Sequence, residues 1–111
     1  METTTTELKH CGLVKVTGRV DSATAPQLQE TIDNLLKKGQ YKLVLDMSGV
    51  EFMSSAGLRV LVITQKNCRR YNRGELALAA LPENIKASLE LAGFVPLFNI
   101  FDDPLIAVGN Y

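Results

Sequence analysis

An α/β fold, with a mixed β-sheet of about four to five strands and helices packed mainly on one face, is predicted by three observations. Short β-rich runs alternate along the chain with stretches of helical periodicity. One of these runs, Leu43-Val44-Leu45, is uniformly apolar, as a strand covered on both faces is. The 111 residues, 46% hydrophobic and 22% charged, suit one globular domain spanning 1–111 with a core of ordinary size.

The elements follow in order. Thr3 to His10 reads as an edge strand, Cys11-Gly12 as a turn, and Leu13 to Thr17 as a β-rich second strand. A helix begins near Thr24, with Pro26 tolerated in its first turn. Leu28, Ile32, Leu35 and Leu36 fall at i, i+4, i+7 and i+8 and form one apolar stripe. Lys37-Lys38-Gly39 closes that helix, cations and then a glycine being favoured at a C-terminus. Leu43 to Leu45 is the central parallel strand. A second helix runs from Ser55 to about Tyr71 and ends before Arg73-Gly74, and Glu75 to Ala80 forms the next core strand. Pro82 and Glu83 open a short helix that carries Ile85 and Leu89 and stops at Gly93. Phe98, Ile100 and Phe101 mark a last strand, which Pro96 confines to an edge or a late start. Asp102-Asp103-Pro104 begins a terminal helical turn.

Composition excludes several classes of function. Twelve basic and twelve acidic residues cancel, so no global field favours nucleic acid or an anionic membrane. The basic residues of the second helix lack the interleaved aromatics of a nucleic-acid surface. Cys11 and Cys68 match no metal-ligand spacing and make a weak disulfide case. The opening residues Met1-Glu2-Thr3-Thr4-Thr5-Thr6 contain no signal-peptide core, and no run approaches a membrane span. A cytoplasmic location is the expectation.

Asp46 to Leu61 is the most informative stretch, because it places Ser54 and Ser55 where a loop becomes a helix. Hydroxyls there either cap the helix or present themselves for chemistry. On a helical wheel Leu58, Leu61, Gln65 and Cys68 share one side, with Val62 at its border. Arg59, Lys66, Arg70 and Arg73 cluster on another, and Ser55 lies over that basic stripe, one turn before Arg59. Val60 and Ile63 flank it, as an apolar rim for a partner or as core.

Three rival chemistries fail on their missing parts. A nucleophilic serine needs a base within reach, and the single histidine, His10, lies in a distant turn. The first glycine of a nucleophile elbow is here Met53. A receiver-type acceptor at Asp46 lacks an acidic pair after the first strand and a lysine after the last, so Asp46 is expected to hydrogen-bond its own loop. Gly49 and Gly57 lack the spacing and the following lysine of a P-loop.

Asp46-Met47-Ser48, Phe52-Met53, Ser54-Ser55-Ala56 and Gly57-Leu58 together resemble the phosphorylation-site region of the bacterial anti-sigma factor antagonists, the single-domain members of the STAS family. Gly18-Arg19-Val20-Asp21 is similar to that family's motif at the end of its second strand, and the order of elements extends the resemblance over nearly the whole chain. Ser54 stands where many members carry Asp, and Ala56 where many carry Ser or Thr. The resemblance implies a non-enzymatic switch without a cofactor. The unmodified protein would bind an anti-sigma factor that is also a serine protein kinase, freeing the sigma factor. Phosphorylation at Ser55, with Ser54 the lesser rival, would break that complex, and a serine phosphatase would restore it. Asp21, Ser22, Ser54, Gly57 and Arg59 are the expected partner-binding residues, although Asp21 or Ser22 could equally cap the next helix. A STAS-type module that binds a transporter or signalling complex without phosphorylation is the alternative.

Overall fold

The computed structural model describes residues 1–111. Its order is β1 (Glu2–Glu7), β2 (Gly12–Val20), α1 (Ala25–Lys37), β3 (Lys42–Met53), α2 (Ser55–Arg69), β4 (Glu75–Ala79), α3 (Glu83–Ala92), β5 (Asn99–Phe101) and α4 (Pro104–Gly109). The five strands form one sheet in the order β1-β2-β3-β4-β5. The β1–β2 pair is antiparallel and the other three pairs are parallel.

This topology explains the predicted layering. From β2 to β5 the chain adds each strand beside the last and never reverses. Right-handed crossovers then place α1, α2 and α3 on the same face. Beneath them lies the main core, built from Val14, Val16, Leu43, Leu45, Leu76 and Leu78 of the sheet against Leu28, Ile32, Leu61, Ile85 and Leu89 of the helices. The opposite face carries a smaller cluster, in which Ala107 of α4 packs on Cys11, Val44, Ala77 and Ala79. Two alanines in β4 let α4 sit close, and Tyr111 beyond it places its hydroxyl 2.6 Å from the Glu75 carbonyl and 3.0 Å from that of Leu43.

Several element boundaries differ from the expectation, the first being β1, which ends at Glu7, short of His10. β2 continues to Val20, and β3 runs through the stretch read as a loop, so that strand and helix meet at Ser54 alone. The pairing survives because β3 absorbs two register shifts against β2. At the first, a Cβ on Gly49 would come within 2.6 Å of the Thr17 side chain, so only glycine lets the strands approach. Helix α2 ends at Arg69, followed by a 3₁₀ turn over Arg70–Asn72 in which Tyr71 and Asn72 take φ of 59° and 56°. That left-handed pair turns the chain toward β4. No helix is long and apolar enough to cross a membrane.

Candidate functional site

The C-terminal ends of β2 and β3 lie side by side, with Val20 opposite Met53. The Ser54 backbone N–H donates to the Val20 carbonyl at 2.8 Å and fixes the start of α2 against the end of β2. Ser54 is the N-cap, with extended backbone and a side-chain oxygen 3.5 Å from the Gly57 N–H, the outer limit of a hydrogen bond. Ser55 is the first helical residue and is exposed, whereas Ser54 is half-buried. The two adjacent serines thus have different surroundings.

Gly57, expected on the partner surface, is buried instead. A Cβ there would lie 2.6 Å from Met53 Cγ and 2.9 Å from Val20 Cγ1, so glycine lets α2 seat on the strand ends. Its part in the site is indirect.

Asp21 and Ser22 lie beside the serines because Val20 holds Ser54. The Asp21 carboxylate accepts from the backbone N–H groups of Ala23 at 3.0 Å and Thr24 at 3.1 Å. In return the Asp21 N–H donates to Thr24 Oγ1 at 2.9 Å. The Thr24 N–H is the chief reason the Asp21 carboxyl is held below its ordinary value of 3.8. Asp21 therefore organises the turn into α1, and Ser22 is exposed at its tip. Nearby, the Arg19 guanidinium stands over the Phe52 ring at 4.5 Å.

The face of α2 is rotated from the expected one. Its buried residues are Gly57, Val60, Leu61, Thr64, Gln65 and Cys68. Leu61, Gln65 and Cys68 are buried as the wheel has them, but Leu58 is only half-buried. Val60 is core, and Ile63 is 40% exposed. The reason is Gly57: with no side chain, it brings the helix start down on its own face and rolls Leu58 outward. Ser55 consequently shares a surface with both Leu58 and Arg59. With Val62, Ala92 and Phe94 these three line an open groove of about 350 Å³ between α2 and the end of α3. Sequence reading missed Ala92 and Phe94, which reach the serine only through the fold. The i, i+4 pair Leu58 and Val62, at the edge of the core face, was the one local signal, and the wheel absorbs it into the core.

Elsewhere the rival chemistries lose their geometry. His10 precedes β2 at the end of the sheet opposite Ser55, so the nine residues of β2 separate them by roughly 26 Å. Asp46 lies within β3, 9% exposed, and accepts from the Ser48 N–H at 3.0 Å, in a strand where a loop was expected. Both cysteines are free and buried, and burial pushes the Cys68 thiol up to about 12.

Comparison with known proteins agrees with this fold. The STAS domain pattern matches residues 2–104. BtrV of Bordetella bronchiseptica, named as a candidate anti-sigma factor antagonist, is 36% identical over 83 residues, covering 75% of this chain and 71% of that protein. The anti-sigma-B factor antagonist of Staphylococcus aureus is 29% identical over 87 residues, covering 78% and 80%. The crystal structure of an anti-sigma factor antagonist from Mycobacterium paratuberculosis superposes with a TM-score of 0.88 at 25% identity, over 98% of this chain and 92% of that one. The chain belongs to the STAS domain family, among the anti-sigma factor antagonists.

Proposed function

We propose that the chain is a partner-switching protein whose unmodified form binds an anti-sigma factor with serine kinase activity, and whose phosphorylation at Ser55 releases it. One observation carries the choice of residue: Ser54 is half-buried and capping, while the neighbouring Ser55 is exposed on the first turn of α2. In the transfer, Ser55 Oγ attacks the γ-phosphorus of ATP. The bond to the bridging oxygen breaks, ADP leaves, and the hydroxyl proton passes to a base of the kinase. A serine phosphatase then hydrolyses the ester with water and releases inorganic phosphate.

The added phosphate carries about −1.5 to −2 charges, and a helix N-terminus stabilises an anion by roughly 0.3–1 kcal/mol. Folding is therefore unharmed, and the effect falls on the interface, where a dianion would have to be desolvated. Asp21 supports the surface by shaping the turn that presents Ser22; Ser54 and Arg59 flank the acceptor.

Incubation with ATP and the anti-sigma kinase tests this reading. Wild type and Ser54→Ala take up one phosphate per chain, and Ser55→Ala takes up none. Label retained by Ser55→Ala but lost from Ser54→Ala moves the site by one residue. No label on any serine contradicts phosphorylation and leaves a module that binds its partner without it.

A further inference from the structure

The groove beside Ser55 has a composition that a helix surface does not need. Four of its six lining residues, Leu58, Val62, Ala92 and Phe94, are apolar. Leu58, Val62 and Phe94 pack their inner sides on the main core and leave their outer sides open. The same turn of α3 carries Leu91, 91% exposed.

Arg59 is the one charged residue lining the groove. Of the five arginines in the chain, the other four are engaged. Arg19 stands over Phe52, Arg70 over Tyr71, and Arg73 over Tyr41, while Arg69 pairs with Glu75. Arg59 is exposed and takes part in neither of the two ion pairs of the molecule. An apolar cleft with one free guanidinium at its wall complements an apolar side chain with a carboxylate beside it. Arginine is suited to that contact, since its planar fork meets a carboxylate or a phosphate through two parallel bonds.

Ser55 and Arg59 are four residues apart on one helix, so their Cβ atoms lie about 5–6 Å from each other. A phosphate on Ser55 comes within reach of the guanidinium from its own helix. It brings nearly two charges and needs no association step, whereas a partner's carboxylate brings one.

Resting on the switching function proposed above, we infer that the groove between α2 and α3 receives an apolar side chain of the anti-sigma partner, with an adjacent partner carboxylate on Arg59. The phosphate on Ser55 ends binding by taking Arg59 for itself. Release is then a competition for one guanidinium, and the phosphate also stands at the mouth of an apolar cleft that the partner must desolvate.

The test uses the full-length chain and its purified anti-sigma kinase, with affinity measured for unphosphorylated and phosphorylated protein. Val62→Glu, which puts a carboxylate in the cleft, weakens unphosphorylated binding at least ten-fold, while Val62→Leu keeps it; thermal midpoints show that both fold. Arg59→Gln weakens unphosphorylated binding about ten-fold and shrinks the ratio between the two forms by a similar factor. A second readout needs no partner. By ³¹P NMR, Arg59→Gln raises the second pKa of the phosphoserine, because a guanidinium favours the dianion. Wild-type binding by a folded Val62→Glu, an unchanged ratio in Arg59→Gln, or an unmoved phosphoserine titration overturns the inference. If Ser55→Asp still blocks binding in that case, the switching function stands without it. Ser55→Asp and the phosphorylated protein both binding as wild type overturns the switching function itself. Self-association that disappears in Val62→Glu assigns the groove to a second copy and also overturns the proposal.

Discussion

At its C-terminal end helix α2 leaves no arginine idle, and at its N-terminal end it leaves Arg59 without a partner. Arg69 pairs with Glu75, whose other oxygen accepts from Asn99 at 2.7 Å. Arg73 donates to the carbonyls of Arg70 and Asn67 at 3.0 Å each and lies 3.8 Å over the Tyr41 ring. These contacts satisfy carbonyls that the last turn of a helix otherwise leaves open. The N-terminal end is held instead by the Ser54 N–H on the Val20 carbonyl and by the close seat of Gly57 on the Met53 and Val20 side chains. The same residue type thus closes the helix at one end and stays available at the other. Availability beside an exposed serine, and not basic charge as such, distinguishes the end to which the switching function is assigned by proposal.

The comparison can be broken most severely in the middle of the helix. Gln65, 3% exposed, donates to the carbonyls of Leu76 at 3.1 Å and Leu97 at 2.8 Å, and accepts from the Leu76 N–H at 2.8 Å. It fastens α2 to β4 and to the turn before β5. Gln65→Leu leaves those groups buried and unpaired and costs about 3 kcal/mol of stability, measured by urea unfolding. If the two ends of α2 are as separate as described, partner affinity of the folded fraction stays at the wild-type value.

The two arginine environments give a smaller, sharper contrast. Arg73→Ala removes two carbonyl contacts and a ring stack from an exposed site and costs about 1 kcal/mol, with affinity unchanged. Arg59→Ala leaves stability within about 0.5 kcal/mol and lowers affinity. An equal stability loss at both positions would show that Arg59 is structural.

Asp21 gives the smallest expected effect. Its carboxyl is depressed in the folded state, so its contribution is fully present above the ordinary value of 3.8 and is lost as pH falls through the lower folded value. Between those two values the wild type loses stability faster on acidification than Asp21→Asn does. Parallel curves of thermal midpoint against pH for the two proteins would contradict the turn described here.

The fold was legible because its apolar patterns are local. The stripe of α1, the all-apolar Leu43–Leu45 run and the glycine after α3 each point to one element. The full length of β3 was not legible, because two bulges break the period-two signal and Gly49 reads as a turn until Thr17 is seen packed against it. The same holds for the seating of α4, whose cause is the small size of Ala77 and Ala79 on the far face of β4. At the site, Ser54 and Ser55 could be read from their position before a helix. Their difference could not, since it depends on the bond from Ser54 to Val20 of another strand. Ala92 and Phe94 carry no local mark of function; only the right-handed crossover that lays α3 beside α2 gives them one.

The most direct measurement compares thermal midpoint and affinity for the anti-sigma kinase among wild type, Ser55→Ala, Ser55→Asp and the protein phosphorylated on Ser55. Ser55 is the first residue of α2, where the helix dipole favours an anion, so all four should melt within a few degrees of one another. Ser55→Ala should bind as the wild type does. Ser55→Asp should dissociate faster, partly mimicking a phosphate that carries more charge and one more oxygen, and the phosphorylated protein should bind weakest. Phosphorylated protein and Ser55→Asp binding as tightly as the unmodified chain would show that Ser55 only begins a helix, and the switching account would be wrong.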